Sequence, residues 1–205
     1  MNRRRFISRS LVLGAGLSTP LTLTRTAFAA SMPADIVEMD ALGLSRAIEE
    51  SQVSCVEVMQ AYLAHIERYN PVYNAIVGMA EADDLLQQAR NADAELSRGE
   101  YHGWMHGMPH AVKDLQPVAG LRYTSGSPIF ADRIADRDSG MAAKLRAAGA
   151  IFIGKTNTPE FGLGSQSYNP VYGATGSAWG PDLTAGGSSG GAASGLGTHM
   201  LPVAD

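Results

Sequence analysis

The chain has 205 residues, 45% of them hydrophobic and 18% charged, which is enough apolar material for one ordinary domain and too much for a disordered segment. Its formal charge of −4 argues against a basic, nucleic-acid-binding surface. Its single cysteine, Cys55, excludes an internal disulfide and reads as a small buried helix residue.

The first segment reads as an export signal. Asn2-Arg3-Arg4-Arg5-Phe6-Ile7 matches the twin-arginine pattern, an apolar stretch runs from Leu11 to Leu23, and Ala27-Phe28-Ala29 offers small residues for cleavage after Ala29. Pro20 and several threonines and serines interrupt the apolar run, which is too short and too polar to span a membrane well. The expectation is a signal over residues 1–29, a mature protein that is periplasmic or secreted, and no stable membrane anchor after cleavage. Losing residues 1–29 removes five arginines and no acid, taking the formal charge from −4 to −9.

Asp40 to Glu50 is expected as a short helix. Ser54 and Glu57 form an S-x-x-E capping box for a second helix, along which Met59, Tyr62, Leu63 and Ile66 recur on one face, with Pro71 as its end. Asn74 to Val77 reads as a strand. A longer helix is expected from about Ala80 to Leu96, with Leu85, Ala89, Ala92 and Leu96 on one face and Gly99 near its stop.

After the turn-rich stretch from Gly99 to Pro109, His110 to Val112 is a short buried strand that delivers Lys113 at its carboxyl end. Ser139 to Ala148 reads as a helix ending at Gly149, and Ala150 to Gly154 as a compact apolar strand. Strand, helix and strand in this order predict a βαβ layer with parallel pairing. From Lys155 onward the glycines are so closely spaced that mostly loop is expected, with Phe161, Tyr168, Tyr172 and Trp179 packing it.

Two features carry chemistry. An amine can serve as a base near neutral pH only if its surroundings disfavour the cation, since a free lysine titrates at about 10.4. Lys113, after the apolar HAV, suits such burial, although by itself it reads first as a strand-end lysine paired with Asp114 or another carboxylate. The string GGSSGG flanks Ser188 and Ser189 with glycines that let backbone amides converge on an oxyanion, whereas a plain flexible loop is the bland alternative. A phosphate-binding loop would need a GK[ST] ending, which is absent. The five histidines form no recognisable ligand set: Gly103, Gly107 and Pro109 break the spacing of His102, His106 and His110, and neither H-E-x-x-H nor a cysteine pair occurs. No metal site and no cofactor are expected.

Several strings in order resemble the amidase signature family: SQVSCVEVMQAYLAHIERYNPVYNAIV, GMPHAVKDL, GAIFIGKTNTPEFGLGSQSYNPVYGAT and TAGGSSGGAA, together covering about residues 40 to 205. The resemblance implies an α/β fold, a mixed central sheet covered by helices. It gives Lys113 the role of catalytic base, Ser188 that of a bridging serine preceded by a cis peptide, and Ser189 that of a supporting hydroxyl beside Gly186 and Gly187. It puts Ser165 and Gln166 in the loop that approaches the substrate carbonyl, and treats Thr156-Asn157-Thr158-Pro159-Glu160 as a structural turn.

The implied activity is hydrolysis of carbon–nitrogen bonds in small or aryl amides, a small-molecule substrate, by a Lys/cis-Ser/Ser relay. Family members run to more than twice this length and place the nucleophilic serine in a later GxDxGGS segment. The expectation is therefore the N-terminal part of an amidase domain, residues 30–205, with a helical front over 40–98 and an α/β part over 99–205. Two other readings stay open: the amidase subunit of a tRNA-dependent amidotransferase, against which the export signal argues, and a non-catalytic truncated product. Substrate identity and oligomeric state are not legible.

Overall fold

The computed structural model describes residues 36–205. The proposed signal sequence lies outside the described residues. Helix α1, Ala41–Glu49, begins where the Asp40 carboxylate accepts the Gly43 N–H at 2.7 Å. Helix α2, Cys55–Tyr73, starts with the expected capping box: the Glu57 N–H donates to Ser54 Oγ at 3.1 Å, and the Ser54 N–H donates to Glu57 Oε2 at 2.8 Å. Helix α3, Ala82–Ser97, adds a cap from outside, because its Asp93 accepts the Cys55 and Val56 N–H groups at 2.7 and 3.2 Å. All three helices bury one apolar stripe, with Leu44 and Ile48, then Val58, Met59, Tyr62 and Ile66, then Leu85 and Ala89 in one core.

Pro71 does not end α2. It sits in the last turn, where the Asn74 N–H still reaches the Asn70 carbonyl at 2.7 Å, and the helix stops because Asn74 turns left-handed (φ 48°). The Asn70 carboxamide then takes over, accepting the Ala75 and Ile76 N–H groups at 2.9 Å each and donating to the Ile76 carbonyl at 2.7 Å. This fixes the direction of strand β1, Ile76–Val77.

Strands β2, Pro109–Lys113, and β3, Ile151–Thr156, pair in parallel through helix α4, Gly140–Ala147, as the βαβ pattern predicts. Strand β1 joins the other edge of β3 in antiparallel fashion, giving a mixed sheet in the order β1-β3-β2. Ala111, Ile151 and Ile153 face the core of α1 to α3, whereas Val112, Phe152 and Val118 pack under Ala142 of α4. In register, Lys113 lies beside Thr156 and Val112 beside Lys155. Side chains alternate across the pleat, so the two lysines leave the sheet on opposite faces.

The segment after Lys155 holds more regular structure than its glycine spacing predicts. Two short antiparallel pairs form, β4 (Tyr168–Asn169) with β5 (Gly173–Ala174) and β6 (Gly176–Ser177) with β7 (Gly180–Thr184), followed by helix α5, Gly190–Gly197. Glycine is a poor helix former, but here it permits contact: a Cβ on Gly191 would stand 2.2 Å from the Asn157 nitrogen, so only glycine lets α5 pack this closely on the end of β3. Trp179 and Tyr168 do not pack the loops as expected: Trp179 is 95% exposed at the tip of the β6–β7 hairpin, and Tyr168 is exposed as well.

Candidate active site

Lys113, the last residue of β2, and the Ser188-Ser189 pair, just before α5, meet at the carboxyl end of the parallel strands. Lys113 Nζ donates to Ser188 Oγ at 2.8 Å and to Ser189 Oγ at 2.9 Å. The Gly187–Ser188 peptide bond is cis. Ser188 is half-buried and Ser189 exposed.

Burial holds the Lys113 amine below the usual lysine range, while the Asp205 carboxylate, which accepts the Lys113 backbone N–H at 3.1 Å, pulls in the opposite direction. The positive N-terminal end of α5, which begins beside the two hydroxyls, further disfavours an ammonium there. Asp114 is not the partner of Lys113. Its fully buried carboxylate accepts from Thr124 N at 3.1 Å, Thr124 Oγ1 and Gly126 N at 3.3 Å. Burial raises its pKa; these bonds and nearby Lys155 oppose the rise.

The second lysine, Lys155, is fully buried on the opposite face and donates to the Gln116 carbonyl. Burial lowers it to about 8, against the pull of Asp114, Asp205 and Asp138. Because the Gln116 N–H donates to the Lys113 carbonyl at 2.9 Å, Lys155 braces the turn that follows Lys113. Sequence patterning misses this residue, since a lysine near the end of an apolar strand gives no sign of being buried.

The loop from Gly162 to Gln166 lies against the serine corner. A Cβ on Gly187 would meet Gln166 N at 2.8 Å and the Ser165 carbonyl carbon at 2.9 Å, so backbone is stacked on backbone. Ser165 and Gln166 are themselves exposed and line a cleft of about 470 Å³ with Phe161, Leu163 and Tyr168. Gln166 Oε1 accepts the Thr184 hydroxyl, which also accepts the Gly186 N–H at 3.1 Å. Sequence reasoning overlooks Ser167, which is buried and binds this corner twice, its N–H donating to the Gly186 carbonyl (2.9 Å) and its hydroxyl accepting the Gly190 N–H (2.8 Å), while its carbonyl accepts the Thr175 N–H (2.9 Å). Thr158 is also more than the turn residue that the sequence suggests; its hydroxyl donates to the Ser188 carbonyl at 3.1 Å.

Among the described residues no cluster of three or more His, Cys, Asp or Glu side chains is arranged to hold a metal. What the site offers is an amine, two hydroxyls on it, and a glycine-lined corner. Once deprotonated, the amine can accept the Ser188 proton.

The family model described as Amidase matches residues 57–204. An indoleacetamide hydrolase of Bradyrhizobium diazoefficiens is 38% identical over 165 residues, 78% of this chain and 31% of that protein. The A subunit of the glutamyl-tRNA(Gln) amidotransferase of Alkaliphilus metalliredigens is 36% identical over 168 residues, covering 82% and 34% of the two chains. Among solved structures, a bacterial aryl acylamidase of the amidase signature enzymes superposes with a TM-score of 0.75 at 29% identity, over 81% of this chain and 34% of that one. The peptide amidase of Stenotrophomonas maltophilia superposes with a TM-score of 0.75 at 27% identity, over 84% and 36%. The chain spans about a third of the length of these relatives. Its matched stretch is well over half of its own residues, and on that sequence and fold the chain belongs to the amidase family.

Proposed function

We propose that this chain contributes the lysine–serine part of an amidase that hydrolyses carbon–nitrogen bonds in small or aryl amides. The observation that carries the reading is the 2.8 Å bond from Lys113 Nζ to Ser188 Oγ. In the proposed relay, neutral Lys113 takes the proton of Ser188 as the Ser188 hydroxyl takes that of an attacking serine, which adds to the amide carbonyl. The proton then passes back through the same two groups to the leaving amine, and water hydrolyses the acyl-enzyme. The resemblance assigns the attacking serine to a GxDxGGS segment that is not among residues 36–205. Ser189 supports the amine, and the Gly186–Gly187 backbone with the Ser165–Gln166 loop walls the site.

The test is amide hydrolysis by the protein expressed from its complete reading frame, with and without Lys113→Ala. The reading expects the variant to lose about 10²- to 10⁴-fold in kcat, the usual size of a general-base contribution. Full activity in Lys113→Ala would remove the mechanism.

The similarity to the amidotransferase chains favours a second reading, in which the protein acts on tRNA-bound substrate together with partner chains. The Arg3-Arg4-Arg5 segment favours the exported enzyme instead. Fusing residues 1–35 to a reporter separates them: export to the periplasm supports the first, and retention in the cytoplasm the second.

A further inference from the structure

Between β3 and the serine corner, two asparagine side chains are buried with every polar atom engaged. Asn157 Nδ2 donates to the Gly173 carbonyl at 3.2 Å and to Thr175 Oγ1 at 3.0 Å, while its Oδ1 accepts the Thr158 N–H at 3.0 Å and Asn169 Nδ2 at 2.7 Å. Asn169 Nδ2 also donates to the Thr158 carbonyl at 2.7 Å, and its Oδ1 accepts the Val171 and Tyr172 N–H groups at 2.9 and 2.8 Å. A carboxamide has two donors and two acceptor lone pairs, so neither residue has spare capacity. Their burial makes each lost partner costly.

What the pair grips is Thr158. Its N–H and its carbonyl are both held by the carboxamides, and its hydroxyl is left to donate to the Ser188 carbonyl at 3.1 Å. A second tie runs from the same place, since the Asn157 carbonyl accepts the Gly191 N–H at 3.1 Å, just past the paired serines. Ser188 is thus bracketed by two bonds from neighbouring residues of one rigid network. None of these bonds involves Lys113 Nζ or the Ser188 hydroxyl, the two groups of the relay.

We propose that Asn157 and Asn169 act through Thr158 as positioning residues, a buried latch that sets the Ser188 hydroxyl at the Lys113 amine; the idea rests on the amidase reading above. A proton relay depends steeply on geometry, and a misplacement of about 1 Å costs about 10²-fold in rate. The Ser188 side chain turns about its own backbone, so holding that backbone limits the hydroxyl to a few staggered positions, one of which meets the amine.

The test uses the protein from its complete reading frame, with Thr158→Val, which keeps the shape and removes the donor, and Thr158→Ser, which restores the donor. Asn169→Asp keeps the shape of the carboxamide and removes its two donated bonds. For each, kcat and KM on a small amide, the melting temperature and the Lys113 Nζ to Ser188 Oγ distance in a crystal structure are measured. Thr158→Val is expected to lower kcat about 10- to 100-fold with KM within about twofold, to lengthen the contact beyond about 3.5 Å, and to be rescued by Thr158→Ser.

The latch is overturned if folded Thr158→Val keeps both the wild-type kcat and the short contact. It is also overturned if its kcat falls only in step with lost folded protein and Thr158→Ser brings nothing back. Should Asn169→Asp fail to fold, the two Thr158 variants decide. A wild-type protein without amidase activity would count against the proposed function, and the contact distance in Thr158→Val would still judge the latch.

Discussion

Ser189 occupies the N-cap position of α5, but its hydroxyl oxygen accepts the Lys113 amine at 2.9 Å and makes no side-chain cap bond to the helix. An N-cap serine ordinarily contributes about 1 kcal/mol through that bond. Here the hydroxyl is committed to the amine, so function and helix stability separate at this residue. Ser189→Ala is expected to lower the stability of the protein by less than about 0.5 kcal/mol in denaturant unfolding. The same change removes a hydrogen bond to a polar amine and is expected to reduce kcat about tenfold. A marked loss of stability with unchanged kcat would reverse the assignment.

Asp93 of α3 caps the start of α2 through the Cys55 and Val56 N–H groups. Asp93→Ala leaves those donors without a partner at a partly buried helix end. The expected cost is about 1–3 kcal/mol, read as a lowered denaturation midpoint with an unchanged slope. Asp93→Asn, which keeps one acceptor, is expected to lose less.

The Cys55 thiol is pushed far up by burial, and the adjacent Asp93 carboxylate adds to the effect. A thiol that stays protonated and enclosed does not react. A thiol reagent is expected to label Cys55 only as fast as the protein unfolds, with full labelling in denaturant. Rapid labelling of the native protein would show that the start of α2 opens.

Lys155 makes stability depend on pH. Its folded value of about 8 lies below its ordinary 10.5, so between these limits the unfolded chain binds more protons than the folded one. Stability then rises with pH through that window, and the penalty for burying the cation is fully present below it. The rise attributable to this group is about 3 kcal/mol. Tyr62 and Tyr172, both raised chiefly by burial, act in the opposite direction at higher pH. The clean measure is therefore the difference between wild type and Lys155→Met from pH 7 to pH 10, which is expected to shrink or change sign as pH increases.

How much of this is legible in the sequence follows from where the information is local. The capping box at Ser54 and Glu57, the apolar stripe of α2 and the βαβ order rest on near neighbours, and they read correctly. Pattern alone stops α2 at Pro71, because the decisive contacts, from the Asn70 carboxamide to Ala75 and Ile76, belong to a side chain that it treats as polar filler. The glycine-rich half reads as loop because α5 is held by close packing on Asn157 rather than by helix propensity. Lys113 and the two serines stand out through a resemblance spanning several strings. The residues that tie this corner together, Thr158, Ser167 and Asn169, do not, since their roles come from contacts across 11 to 30 positions.

The central claim is that an uncharged Lys113 draws the proton from Ser188. The most direct measurement is the pH dependence of kcat/KM for a small amide, in the wild-type protein and in Lys113→Met. The account predicts a wild-type rate that rises with pH through a value below 10.5, the ordinary value of the group. It predicts a loss of about 10²- to 10⁴-fold in the variant, together with loss of that rise. A Lys113→Met protein that keeps the wild-type rate and the same pH profile would contradict it.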